Sequence, residues 1–104
     1  MIVSNTESVP GREVAEILGL VNGNIVQARH LGRDIQAGLR SVVGGKVGVY
    51  SEMLAEARAE ATRLMISEAE NLKADAVVNV RYTTSAISQG MSEILAYGTA
   101  VKLR

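Results

Sequence analysis

Cysteine is absent from the 104 residues. Its absence excludes disulfides, thiolate metal sites, iron–sulfur clusters and a cysteine nucleophile. Tryptophan and phenylalanine are absent too, and three tyrosines supply the whole aromatic content of 3%. The core must then be built from Val, Ile, Leu, Ala and Met, each of which buries less area than a large ring. There is one histidine, so a multi-histidine site can arise only by bringing several subunits together. Net charge is lacking as well, since 11 basic residues balance 11 acidic ones. A neutral chain is a poor bulk electrostatic binder of nucleic acid or of an anionic membrane. No apolar run approaches the roughly 18–20 residues that cross a bilayer. The opening Met1-Ile2-Val3-Ser4-Asn5 has no basic region followed by an apolar core, so no secretory signal is read there and the cytoplasm is the expected compartment.

What is present fits one globular domain over residues 1–104, with 47% apolar and 21% charged residues. Residues 1–4 suit a short strand. Ser8-Val9-Pro10-Gly11 is a turn signal. Residues 13–20 read as a strand with both faces largely apolar. Asn22-Gly23-Asn24 interrupts the run before Ile25-Val26-Gln27-Ala28 resumes it. Such an interruption marks either a tight hairpin or a bulge within one long strand. Leu31, Ile35, Leu39 and Val42/Val43 recur at helical spacing and predict a helix over 31–43.

The pattern over 51–73 is the clearest helix. Ser51 suits its N-cap, and Leu54, Ala57, Ala61, Leu64, Met65, Glu68/Ala69 and Leu72 trace one stripe. Residues 76–84 read as a strand, 85–91 as a loop and 92–103 as the last strand. In the last, Ile94, Ala96, Gly98 and Ala100 make a face of small residues opposite the bulkier Leu95, Tyr97, Thr99, Val101 and Leu103. The class is α+β, with one long helix packed on an antiparallel sheet. A sheet covered by a single helix layer should show one solvated face. The strands at 14–21 and 94–103 are apolar on both, so a lone subunit would expose surface of the kind that marks interfaces. A closed homo-oligomer is the expectation.

Three segments together carry a resemblance: residues 32–45 with their Gly44-Gly45 end, Ala74-Asp75-Ala76-Val77-Val78-Asn79-Val80-Arg81-Tyr82, and Ala96-Tyr97-Gly98-Thr99-Ala100-Val101. In this order around a long Glu/Ala/Arg helix, they resemble the YbjQ-like family of small bacterial proteins over nearly the whole chain. The resemblance implies a dodecin-like β-α-β-β subunit in a homo-oligomeric ring, a pentamer, and a heavy-metal-binding description. It offers no catalytic residue to carry over. Asn79 stands where the family strand often has Gly, which brings any close backbone approach there into question.

Each possible site has a plainer competitor. His30 and Asp34 would share a helix face and form an imidazole–carboxylate metal pair, but two ligands are too few for a closed site. The plainer role places His30 at an element boundary and pairs Asp34 with Arg33 or Arg40. Gly44-Gly45-Lys46 fails as a phosphate loop, because Arg40 and Val47 stand where Gly and Ser or Thr are needed. Arg29, His30, Arg33 and Arg40 have no aromatic stacking partners for nucleic acid. Arg81 and Glu93 suit a cross-strand ion pair. With Thr83 they would form a polar cluster which, repeated round a ring, holds a small polar ligand. No catalytic motif is present, and no enzyme activity is expected. The reading is a homo-oligomeric binding or scaffold protein. Its alternatives are a metal-binding protein and a ring that holds a small ligand or cofactor; against a flavin ring stands the absence of Trp for stacking.

Overall fold

The computed structural model of the chain describes residues 1–28, 45–88 and 90–104; the helix expected over 31–43 lies outside them. The described elements are, in order, strands β1 (Ile2–Val3) and β2 (Val14–Ala28), helix α1 (Gly45–Asn71), and strands β3 (Ala76–Ser88) and β4 (Met91–Leu103). The four strands form one sheet of order β1-β3-β4-β2. β2 and β3 both pair antiparallel with β4. β1 runs parallel to β3, with Ile2 beside Ala76 and Val3 beside Val77. The α+β class holds, but the sheet is mixed, not antiparallel. The N-terminal strand enters along the outer side of β3 and runs with it.

α1 is rich in Ala, Leu, Glu, Met and Arg, which lose little conformational freedom in a helix. It starts six residues before Ser51, the expected cap, so Ser51 lies within it. Its end is a Schellman turn. Lys73 takes a left-handed φ of 64°, the Ala74 amide donates to the Ala69 carbonyl (3.1 Å) and the Lys73 amide to that of Glu70 (2.9 Å). The buried stripe is narrower than the sequence suggests. Ala57, Ala61, Met65 and Ala69 are buried, whereas Leu54 and Leu72 are exposed. Three of the four buried positions are alanine, so the helix lies close to the sheet.

That approach explains Asn22-Gly23-Asn24. The strand neither turns nor bulges there, and pairing with β4 runs in unbroken register over residues 19–28. Gly23 is needed because α1 sits on it: a Cβ would collide with the Ala61 carbonyl oxygen and lie 2.8 Å from Leu64 Cβ. The register irregularities fall earlier, between Val14 and Glu16 and between Ile17 and Gly19, the latter with φ 139° at Gly19. They break the expected alternation. Leu18 and Val21 both pack toward α1, while Ile17 and Leu20 stay exposed.

β3 is irregular near its far end, between Ala86 and Ser88, and has a further irregularity between Val78 and Arg81. Asn79 occupies it with a left-handed φ of 55°, a conformation that Gly adopts freely and Asn tolerates better than most side chains. Asn79 therefore takes the conformation that a glycine would adopt there. Val77 and Val80 both face the helix, and Val78 faces away. The segment expected as a loop over 85–91 is the far end of the β3–β4 hairpin, with Ser85 opposite Glu93 and Ala86 opposite Ser92. Its polar, uncovered residues hid it from a pattern based on burial.

Urea unfolding at one protein concentration tests these two backbone assignments. Gly23→Ala should lose about 1–3 kcal/mol by overpacking. Asn79→Gly should leave stability nearly unchanged, and Asn79→Val should lose about 1–2 kcal/mol. Equal losses for Asn79→Gly and Asn79→Val would refute the left-handed role.

Candidate functional site

The sheet has a closed face and a partly open one. On the helix side, Val21, Val77, Val80, Ile94, Ala96 and Ala100 are buried with the alanine stripe and Met65 of α1. On the other side, Val9 of the N-terminal turn packs over Ala76, Val78, Val101 and Leu103. The Asp75 carboxylate closes that end by accepting the Leu103 amide at 2.8 Å. Beyond this cover the second face is open. It presents Leu20, Asn22, Asn24 and Val26 from β2, Glu93, Leu95, Tyr97 and Thr99 from β4, and Arg81, Thr83 and Ser85 from β3.

Arg81, Thr83 and Glu93 thus share the open face, as expected, but they do not form one cluster. Arg81 lies opposite Tyr97 and Glu93 opposite Ser85. That is four residues apart along β4, roughly 13 Å at the rise of a strand. The expected Arg81–Glu93 ion pair is therefore not formed. Arg81 Nη1 instead donates to the carbonyls of Asn5 (2.9 Å) and Val80 (3.1 Å). Glu93 Oε2 accepts from Asn24 Nδ2 at 3.1 Å. Thr83 is exposed, across from Leu95. Arg81 borders an open groove of about 450 Å³ lined by Val3, Ser4, Asn5, Val80 and Tyr82. Sequence alone could not supply these partners. Asn5 and Asn24 lie 76 and 69 residues from the side chains they meet, and only strand order brings them together.

A second groove, of about 460 Å³, runs along α1 between Ala59, Thr62, Arg63, Ile66, Ser67 and Glu70. Beside it, the hydrogen bonds from Arg63 hold the Glu60 carboxyl below the ordinary carboxylate range. Both side chains are exposed, so water screens the pair. Thr62 Oγ1 and Tyr82 Oη lie 2.9 Å apart and tie the helix to β3.

A divalent transition metal needs three or four converging donors. Among the described residues no three His, Cys, Asp or Glu side chains come together. Asp75 is spent on Leu103, Glu93 on Asn24, and Glu13 on Arg104 at 3.5 Å. These residues do not fit a metal centre. His30 and Asp34 lie outside the described residues.

Comparison with known proteins gives a consistent placement. The YbjQ family model, described as "Putative heavy-metal-binding", matches residues 1–104. A UPF0145 protein of Vibrio campbellii is 60% identical over 103 residues, 99% of each chain. One from the archaeon Archaeoglobus fulgidus is 61% identical over 104 residues, covering 100% of this chain and 96% of the relative. Among solved structures, a DUF74-family protein of unknown function from Pediococcus pentosaceus superposes with a TM-score of 0.68 at 14% identity, over 100% of this chain and 98% of the other. At that identity the likeness establishes the fold.

Double-mutant cycles test the placement of the polar groups. The Arg81→Ala and Glu93→Ala cycle should show coupling below about 0.3 kcal/mol, as for residues without shared partners. The Asn24→Ala and Glu93→Ala cycle should show about 0.5 kcal/mol or more. A coupled Arg81–Glu93 pair would restore the ion pair.

Proposed function

The chain belongs to the YbjQ family, and on that premise we propose that it works as a homo-oligomeric binding or scaffold protein without a catalytic site. The exposed apolar surface carries this reading. Ile17 is 70% and Leu20 79% exposed, and Val14, Val26, Ile87 and Tyr97 are exposed too. The resemblance to the family supports a dodecin-like ring of five subunits as the form of that assembly.

Metal binding is the second reading, favoured by the description of the family. Its chemistry rests on His30, the chain's one imidazole, repeated around a symmetric assembly.

Light scattering and native mass spectrometry on tag-free protein at micromolar concentration should return a single closed species of five chains. A mass of one chain would end the assembly reading. Calorimetric titration with zinc, copper and nickel should give no heat. Saturable binding abolished by His30→Ala would move the assignment to metal handling.

A further inference from the structure

Among the described residues the sheet has two bare edges. One is β2, which ends the strand order and, among the described residues, has no partner on its outer side. The other is the far part of β3. β1 and the chain just after it cover β3 only as far as the Val80 amide, which donates to the Ser4 carbonyl. Residues 81–88 continue past that cover. Natural proteins blunt exposed edges with charge, proline, bulges or short strands. These edges have little of that beyond a register shift between Ala86 and Ser88 near the tip of β3. The fifteen residues of β2 hold one charge, Glu16, and no proline. Its irregularities are confined to the start, leaving residues 19–28 regular. Over 81–88, β3 carries one charge, Arg81, and again no proline.

We infer that the edge of β2 over residues 19–28 pairs with the edge of β3 over residues 81–88 of a second copy, head to tail. This rests on the assembly reading and adds which surfaces join. The position of α1 selects this pairing. The helix lies closest over β2, with Gly23 beneath Ala61 and Leu64. Two β2 edges side by side would set strands about 4.8 Å apart. The helices above them would then be crowded within the 8–10 Å or so that packed helices need. The far part of β3 has no such obstacle. Its helix-side residues Thr84 and Ala86, beyond the bond that ties Tyr82 to this chain's own helix, are exposed in the single chain and would enter beside a neighbour's helix. β2 and β3 run in the same direction, since each is antiparallel to β4. Repeating the contact gives a parallel, heterologous junction, the kind that generates a ring when its rotation closes.

Complementation tests it. One variant carries Leu20→Lys and Val26→Lys on β2; the other carries Thr84→Lys and Ala86→Lys on β3. All four positions are exposed in the single chain. With native circular dichroism, each variant alone should run as a single chain. An equal mixture should form a two-chain species and nothing larger, because it contains one intact β2 edge and one intact β3 edge. Assembly retained by either variant alone, or a mixture that regains the wild-type size, would overturn the proposal. Hydrogen exchange on wild-type protein provides an arm that needs no variant. Amides in both segments should slow at least tenfold between dilute and assembled protein, and protection of one segment or neither would also overturn it. Wild-type protein that is itself a single chain would remove the assembly reading as a whole. An assembly with both edges unprotected would remove only this pairing.

Discussion

The contact between Gly23 and the backbone of α1 sets the geometry of the molecule. A chain without Phe or Trp cannot fill a wide gap between layers, so its helix must lie low on the sheet. Alanines at 57, 61 and 69 lower the helix, and Gly23 receives it. Gly98 serves the neighbouring strand in the same way: a Cβ there would lie 2.7 Å from Val77 Cγ1. Low residue volume on both layers gives close packing over a small area. One sheet face is thereby closed with small side chains, and the bulkier Leu20, Leu95 and Tyr97 lie on the other.

Two of the backbone irregularities, those at Gly19 and Asn79, then decide what the other face shows. A strand with strict alternation sends successive residues to opposite sides, and one extra residue reverses everything beyond it. The shift near Gly19 places Leu18 and Val21 together against the helix and leaves Ile17 and Leu20 in solvent. The shift at Asn79 brings Val77 and Val80 to the helix side and sends Arg81 and Thr83 to the open face. The composition of the open face thus follows from two positive-φ positions. The open face presents a mixture of apolar and polar groups. Its polar side chains are mostly engaged in holding the fold: Arg81 anchors the N-terminal segment, and Glu93 holds Asn24 across the strand pair.

Much was legible along the chain because periodicity records burial. The long helix, the small-residue face of β4, the turn before β2 and membership of the family all follow from local patterns. Along the chain 85–91 reads as a loop, although Ser85–Ser88 is strand, because a strand that buries neither face leaves no periodic mark. Asn22-Gly23-Asn24 reads as a hairpin or a bulge because a glycine required by a neighbouring layer looks, in one dimension, like a glycine required by a turn.

By itself, the sequence determined the chemistry that is excluded, the α+β class and the shortage of bulky core residues. These depend on composition and on spacing within one element, which need no knowledge of neighbours. Only the tertiary structure decided the strand order, the parallel entry of β1, the separation of Arg81 from Glu93 and the faces on which Leu20 and Val80 lie. These are set by register between segments far apart in sequence. Register depends on bulges and close approaches whose causes lie in the opposing layer.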